Sequence, residues 1–260
     1  MELQWLGVNA FRFVAGDTIV LLDPYATRRR EPLCDPAVAR RYFPQATAIV
    51  ISHSHWDHLA DAHAVAAHTG AEVFGSRTTV SVCQSFGLPA DRLVVLAAGD
   101  RIERPAFSVQ FFASHHVVLS NGTVAYAGTY ETPPPVPPRT APEYLEGGTF
   151  AVLLEIGGYR ILDIGSANLE DKCLRGLEVD VLLLGAGGWQ RTPRYLERVF
   201  ENVSARLVVP CHHDDFLVPL EKGIVIRDQA GLDELIRRIP LLSPGTAVRQ
   251  LDLLETLRLP

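Results

Sequence analysis

Short apolar runs of strand length alternate with helix-like segments along the whole chain. Many of these runs end at glycine or polar residues, as buried strands bounded by turns do. Asp35-Pro36 has the form of a helix N-cap followed by a first-turn proline, and Gly70 suits the end of a helix. The pairs Gly16-Asp17 and Gly157-Gly158 lie between strand-like runs and predict hairpin turns. The pattern therefore predicts an α/β protein.

The predicted elements form two similar groups. Strands are predicted at residues 3–6, 11–14, 18–22, 48–51, 73–75, 93–96, 107–113, 124–128, 150–156, 159–163, 181–184, 207–209, 224–226 and 248–254. Helices are predicted at 36–42, 62–68, 76–87, from 192 onward and at 229–239. Strands cluster in the first third and again in the middle, and strand–helix alternation follows each cluster. Two sheets packed face to face with helices outside would bury these patterns, so we expect a four-layer αββα sandwich.

Composition and charge narrow the class of protein. Hydrophobic residues make up 47% of the 260 residues and the net charge is −6, which supplies a core but no basic surface for nucleic acid. The N-terminus has neither a basic start nor an uninterrupted apolar stretch, which predicts a cytoplasmic protein without a membrane span. The 4 cysteines lie far apart and are predicted to be reduced. Nothing in the composition predicts an oligomeric state.

The strongest chemical signal is the segment His53-Ser54-His55-Trp56-Asp57-His58, directly after the predicted strand 48–51. A loop that leaves a buried strand can direct several side chains into one cavity. Imidazoles bind divalent transition metals, and an added carboxylate is typical of hydrolytic zinc centres. Three histidines and an aspartate within six residues therefore predict a site for one or two divalent ions.

This segment, HSHWDH, matches the H-x-H-x-D-H motif of the metallo-β-lactamase superfamily. The N-terminal WLGVNAFRF and the following VLLDP resemble the opening hairpin of that family's cytoplasmic branch. That branch includes ascorbate-6-phosphate lactonases and N-acyl-phosphatidylethanolamine phospholipases. The resemblance extends with gaps to about Leu220. It implies a single metallo-β-lactamase-like domain over residues 1–260, with the segment 221–260 packed on it.

Two further histidines are implied by the resemblance. The family's third histidine follows a downstream strand, where His115 and His116 lie side by side. Neighbouring side chains of a strand point to opposite faces, so one of the pair can reach the metal easily, and the family spacing favours His116 over His115. The last family histidine corresponds to His212 in the sequence VPCH, with His213 as the adjacent alternative. Asp214 or Asp215 could orient a ligand histidine.

The chain departs from the family at the aspartate that usually bridges two ions. Alignment on the sequence ILDIGSA places Ser166 at this position, and Asp163 lies earlier on the same strand. A neutral hydroxyl is a much weaker ligand than a carboxylate, so the second ion is expected to bind less firmly. The first set of histidines can hold a catalytic ion without it.

The resemblance implies metal-assisted hydrolysis, in which a metal-bound hydroxide attacks an ester, lactone or phosphodiester of a small molecule. The implied ligands are His53, His55 and His116 for a first ion, and Asp57, His58 and His212 for a second, with weak help from Ser166 or Asp163. Zinc is the favoured metal, with manganese or iron as alternatives. Asp57 is the candidate to orient the nucleophile and accept its proton.

Two alternatives and one substrate contact complete the prediction. A one-metal centre would also suit a mononuclear iron oxygenase that acts on a thiol, and a non-catalytic metal-binding protein could keep the same fold. Arg139, within the proline-rich stretch TPPPVPPRTAP, is the candidate for binding an anionic group of the substrate.

Overall fold

Two seven-stranded sheets form the centre of the structure, a computed structural model that describes residues 1–31, 33–227 and 229–260, with only the backbone at 229–230. The strands of the first sheet are Glu2–Trp5 (β1), Phe11–Ala15 (β2), Thr18–Leu22 (β3), Ala48–Val50 (β4), Glu72–Gly75 (β5), Leu93–Val95 (β6) and Thr256–Arg258 (β14). Their order across the sheet is β14-β1-β2-β3-β4-β5-β6. The strands from β3 to β6 are parallel, and the hairpin strands β1 and β2 are antiparallel to their neighbours.

The second sheet has a mirrored arrangement of antiparallel and parallel strands. Its strands are Arg101–Arg104 (β7), Phe107–Ala113 (β8), Phe150–Ile156 (β9), Tyr159–Ile164 (β10), Leu177–Gly185 (β11), Val203–Cys211 (β12) and Ala247–Val248 (β13). Their order is β13-β12-β11-β10-β9-β8-β7. The strands β7 to β10 pair antiparallel, and β10 to β13 pair parallel.

Helices cover the outer face of each sheet. The α-helices are Pro36–Tyr42 (α1), Trp56–Leu59 (α2), Ala62–Thr69 (α3), Arg77–Ser85 (α4), Asp171–Leu174 (α5), Tyr195–Asn202 (α6) and Gln229–Leu242 (α7). Short 3₁₀ turns lie at Ala90–Arg92, Ala141–Glu143, Trp189–Arg191 and Leu220–Lys222. In the described part of the chain no helix combines the length and the apolar character needed to cross a membrane.

Three apolar cores separate the layers. The central core lies between the sheets and contains the fully buried Phe11 of the first sheet and Phe111 of the second. One outer core joins the first sheet to the helices α1, α3 and α4, and the other joins the second sheet to α5, α6 and α7. Such burial is the main force that holds sheets and helices together. The predicted four-layer αββα fold is confirmed.

Several local predictions are confirmed by the capping contacts. The Asp35 side chain accepts hydrogen bonds from the backbone of Ala37 and Val38 at the start of α1, which satisfies donors that a helix leaves open. Gly70 ends α3 with a φ of 78°, a left-handed conformation that glycine adopts without strain.

Other predicted elements are wrong. Residues 124–128 form turns and loop rather than a strand, and Ala125 and Tyr126 line a cleft instead of a sheet face. Residues 224–226 make a single bridge between Ile226 and Asp214. The strand predicted at 248–254 is instead a two-residue β13, and β14 follows after a turn.

The helix predicted from Thr192 begins three residues later. Arg194, with a φ of 53°, precedes α6, and Pro193 lies in the turn before it. The structure also contains elements that the pattern did not predict, namely the strands β7 and β14, the short helix α2 within the HSHWDH segment, and the short helix α5.

The topology places several loops at one edge of the sandwich. Since β9 is antiparallel to both β8 and β10, these two strands run in the same direction, and β11 and β12 run parallel to β10. The loops after β8, β10, β11 and β12 therefore leave at the same edge of the second sheet. The HSHWDH segment leaves the first sheet after β4 and meets the loops after β8 and β12 there.

Candidate metal centre

Six side chains meet at this edge in two groups of three possible metal ligands. Within each group, the ligand atoms all lie within 4.8 Å of one another. The first group is His53, His55 and His116, and the second is Asp57, His58 and His212. Each group combines ligands from the loop after β4 with one histidine of the second sheet.

Hydrogen bonds fix the ring nitrogens of two histidines in the first group. His55 Nε2 lies 2.8 Å from the carbonyl oxygen of Ala125, and His116 Nδ1 lies 2.7 Å from that of Val117. A carbonyl oxygen only accepts, so both of these nitrogens carry hydrogen. The opposite nitrogens, His55 Nδ1 and His116 Nε2, lie 3.2 Å apart. In the neutral rings these two atoms present lone pairs to each other.

The pKa shifts keep these rings neutral. Burial lowers the pKa of His116 to about 3 and also lowers that of His55. The pKa of His53 falls well below its usual range because of burial and the neighbouring histidine rings. Its Nε2 atom is buried and has no hydrogen-bond partner among the described residues. An unpaired buried nitrogen and two facing lone pairs are unfavourable unless a cation lies between them.

The spacing suits a tetrahedral transition metal. Two nitrogens bound to zinc at about 2.0–2.1 Å in tetrahedral geometry are separated by about 3.3 Å, close to the 3.2 Å between His55 Nδ1 and His116 Nε2. The first group therefore fits a divalent ion of this type in both chemistry and distance.

The second group is arranged around the Asp57 carboxylate. Asp57 Oδ2 lies 3.4 Å from His212 Nε2 and 3.8 Å from His58 Nε2. Burial opposes ionisation of Asp57, but His58 and His212 outweigh it and hold the pKa below the usual range. Burial likewise opposes protonation of His58, and Asp23 and Asp57 raise its pKa. An ionised carboxylate therefore stands between two imidazoles.

Asp23 orients His58, and the sequence analysis did not identify it. Its Oδ2 lies 2.7 Å from His58 Nδ1 and also accepts hydrogen bonds from Asn9 Nδ2 and Ser52 Oγ. The Ser52 backbone donates to the other oxygen at 2.7 Å. A carboxylate behind a ligand histidine fixes its tautomer and raises its basicity. One feature points to this role of Asp23. It follows β3, which pairs parallel to β4, so the loops after both strands leave the sheet at the same edge.

Neither predicted substitute for the bridging aspartate belongs to the two groups. Ser166 lines the cleft, and its Oγ accepts a hydrogen bond from the Val117 backbone at 3.0 Å. Asp163 is buried, and its Oδ2 accepts from Asn9 Nδ2 at 3.1 Å. Burial and the nearby Asp23 raise the pKa of Asp163 well above its usual range. At the position of the family's bridging aspartate, the chain therefore offers the neutral hydroxyl of Ser166 beside the ligands.

The sequence contains two pairs of adjacent histidines, and in each pair one histidine belongs to a ligand group and the other lies outside it. The structure places His116 in the first group, and His115 points outward to Glu170 at 3.1 Å. It places His212 in the second group, whereas the His213 ring packs against Trp5 with 4.8 Å between ring centroids. The structure thus brings His116 and His212, the two histidines that the family spacing favoured, into the two groups, and their role as ligands stays a prediction.

The acidic residues after His213 anchor the loop rather than a ligand ring. Asp214 accepts from the Val8 backbone at 2.9 Å and lies 2.7 Å from the Arg28 guanidinium, with both side chains fully buried. Arg28 also donates to the carbonyl oxygen of Asp215. These contacts hold the loop that carries His212 against the N-terminal hairpin.

A close backbone approach requires glycine beside His212. A Cβ atom on Gly187 would lie 2.8 Å from the His212 carbonyl oxygen and 3.2 Å from its Nδ1. Gly187 follows β11 and lines the cleft. The GAGG sequence therefore lets the loop after β11 pass against the metal centre.

The two groups open into a cleft of about 720 Å³, a size typical of small-molecule sites. Apolar parts of its wall come from Trp56, Leu119, Tyr126 and Phe216, and basic side chains come from Arg191 and Arg227. Arg139 is not among the described residues that line this cleft. Its backbone donates to Glu143 in the proline-rich loop at 2.7 Å. The anion-binding position predicted for Arg139 therefore lies outside the cleft.

Comparison with known proteins identifies the family. Residues 2–212 match the β-lactamase superfamily domain. The chain belongs to the metallo-β-lactamase superfamily. It is 26% identical over 257 residues to a protein of Heliobacterium modesticaldum named UPF0173 metal-dependent hydrolase, covering 94% of this chain and 95% of that one. The predicted superfamily is thereby confirmed.

Solved structures show the same fold at low identity. Igni18, a metallo hydrolase of the archaeon Ignicoccus hospitalis, superposes with a TM-score of 0.66 at 18% identity, covering 98% of this chain and 97% of that one. CmlA, a diiron β-hydroxylase of Streptomyces venezuelae, superposes with a TM-score of 0.60 at 16% identity, covering 99% of this chain and 54% of that one. The fold is thus found in proteins with different metal chemistry.

Proposed function

We propose that this protein is a metal-dependent hydrolase that acts on an ester, lactone or phosphodiester of a small molecule, with zinc as the favoured metal. The observation that carries the proposal is that the lone pairs of His55 Nδ1 and His116 Nε2 face each other in a buried site, with 3.2 Å between the two nitrogens. The name of the Heliobacterium relative supports hydrolysis. The resemblance of the N-terminal hairpin to lactonases and phospholipases supports the substrate classes.

A divalent ion in these groups would supply Lewis acidity, which polarises the scissile bond and lowers the pKa of a coordinated water. The chain supplies the remaining functions. Asp57, ionised between His58 and His212, is placed to accept a proton from the attacking water. Trp56 and Phe216, whose rings pack edge to face at 5.3 Å between centroids, shield one side of the cleft from solvent.

The two groups are expected to differ in affinity. The first offers three imidazoles, whereas the second has Ser166 where the family has a bridging carboxylate. We therefore expect one firmly bound ion in the first group and a weaker ion in the second. A cytoplasmic location is part of the same proposal.

Metal content per chain tests this proposal. The protein is purified without chelator or metal-affinity resin and analysed for its elements, together with the variants His116→Ala and Ser166→Asp. We expect zinc in the wild type, its loss in His116→Ala, and a higher content in Ser166→Asp at limiting zinc. Iron with oxygen-dependent activity on a thiol would support the oxygenase alternative instead. A wild type that binds no metal even after reconstitution would overturn the proposal.

A further inference from the structure

Two arginines project into the cleft beside the metal centre. Arg191 ends the 3₁₀ turn after β11, and its backbone donates to the Gly188 carbonyl oxygen at 2.9 Å. Arg227 follows the loop after β12, and its backbone donates to the His213 carbonyl oxygen at 3.1 Å. Both side chains are exposed and line the cleft. These backbone hydrogen bonds fix the position of the main chain from which each arginine side chain extends.

Each arginine lies near one of the two ligand groups. A methyl group at Gly188 would contact both Arg191 Nη1 at 3.3 Å and Val117, the residue after His116, at 3.6 Å. Arg191 therefore lies on the side of the cleft formed by Val117, next to the His116 of the first group. The Arg227 guanidinium carbon lies 4.7 Å from the centre of the Phe216 ring, which in turn meets the His212 ring at 5.9 Å. Arg227 is therefore close to the second group.

Neither guanidinium is neutralised within the described residues. Many other arginines of this chain form ion pairs, such as Arg198 with Asp171 at 2.5 Å. The described part of the chain offers no carboxylate within ion-pair distance of Arg191 or Arg227. Within the described residues, a protein with a net charge of −6 thus presents two arginines without a carboxylate partner where its substrate would enter. Guanidinium groups bind carboxylate and phosphate through paired hydrogen bonds.

We propose that the substrate carries, apart from its scissile group, an anionic group that Arg191 and Arg227 bind. This inference rests on the proposed hydrolase function and specifies its substrate class. In the bound substrate, the scissile group lies at the two ligand groups. The apolar wall of Trp56, Leu119 and Tyr126 contacts the part of the substrate between the scissile group and the anionic group. The anionic group is a carboxylate or a phosphate monoester, which share the chemistry that a guanidinium recognises.

Binding of matched inhibitors tests the proposal without requiring turnover. The probes are glutarate, adipate, pimelate and suberate, each compared with its own monoamide by calorimetry on the metal-containing protein. A diacid and its monoamide each have one carboxylate that can bind the metal. The ratio of their two affinities therefore measures the effect of the second negative charge alone. We expect the wild type to favour at least one diacid by about tenfold or more. The ratio falls in Arg191→Gln and in Arg227→Gln and approaches unity in the double variant.

Arg206→Gln is the matched control, because this arginine is 86% exposed and lies on β12 outside the cleft. It should keep the wild-type ratio, and all variants should keep the wild-type metal content. Probes with a terminal phosphonate in place of the second carboxylate identify the source of the anion, since tighter binding than the diacid indicates a phosphate monoester. A wild-type ratio near unity for every diacid, or a ratio unchanged in the double variant, would overturn the proposal.

The two proposals fail in different ways. A protein that contains metal and prefers no diacid refutes the anionic substrate and leaves the hydrolase function standing. A protein that prefers diacids but hydrolyses no ester, lactone or phosphodiester refutes the hydrolase function and keeps the arginine site.

Discussion

Replacement of Asp23 by asparagine tests how the second ligand group is held. Asp23 Oδ2 accepts from His58, Asn9 and Ser52 side chains, so it faces three donors at once. In Asp23→Asn the amide oxygen can take that place and still accept, but it is neutral, and the amide nitrogen then faces the Ser52 backbone N–H, which is itself a donor. His58 thereby loses the negative charge that fixes its tautomer and raises its basicity. We therefore expect Asp23→Asn to weaken metal binding by His58.

The magnitude follows from the contacts that are lost. Removal of a carboxylate behind a ligand histidine weakens metal binding by about 10–100-fold, or about 1.4–2.7 kcal/mol. The loss concerns the ion of the second group, since Asp23 forms no hydrogen bond or ion pair with the first group among the described residues. Unfolding of the metal-free protein should also become easier by about 1–3 kcal/mol, because buried donors lose their acceptor.

Zinc titration in competition with a chromophoric chelator measures the two affinities. Asp61→Asn is the matched control, because Asp61 is also buried and accepts hydrogen bonds from Ala26 and Thr27 but from no ligand histidine. We expect the control to bind zinc as the wild type does. Unchanged zinc binding in Asp23→Asn, or an equal loss in Asp61→Asn, would refute the reasoning.

Three further predictions concern single residues. His116→Ala should remove most of the bound metal, whereas His115→Ala should leave the metal content unchanged, which elemental analysis measures. Burial lowers the pKa of His63 to about 4 from 6.5, so its full stabilising contribution is present above pH 6.5 and is lost as the pH falls towards 4. Urea unfolding at pH 7.5 and pH 5 should show the wild type losing about 2 kcal/mol more than His63→Gln, and equal losses would contradict this. Gly187→Ala should displace His212 and weaken the second ion, at a cost of about 1–3 kcal/mol in stability, and calorimetric zinc binding equal to the wild type would contradict the close approach.

The ligand motif could be predicted because its information is local. His53, His55, Asp57 and His58 follow one buried strand, and their residue types state the chemistry directly. His116 and His212 are separated from the motif by long stretches of chain, and only the family resemblance pointed to them. The fold class was similarly accessible, because alternating runs of strand length report which faces are buried.

The remaining features depend on contacts between distant segments. Asp23 follows an ordinary apolar strand, and its role appears only when β3 and β4 pair side by side. The residues 124–128 have the apolar pattern of a strand, yet Ala125 and Tyr126 line the cleft. His63 lies on α3, and its place in the sequence carries no sign that it stacks on Phe86 with 3.7 Å between ring centroids. Composition does not distinguish a side chain that faces a cleft from one that faces a core.

The metal centre depends on both halves of the sandwich. In each group, two ligands come from the first sheet's HSHWDH loop and one histidine comes from the second sheet. The positions of these histidines relative to the loop are set by the central core, where Phe11 and Phe111 are fully buried between the sheets. A shift of one sheet against the other would move one ligand of three in both groups at once. The motif therefore supplies the chemistry, and the packing between the sheets supplies the geometry that turns it into a binding site.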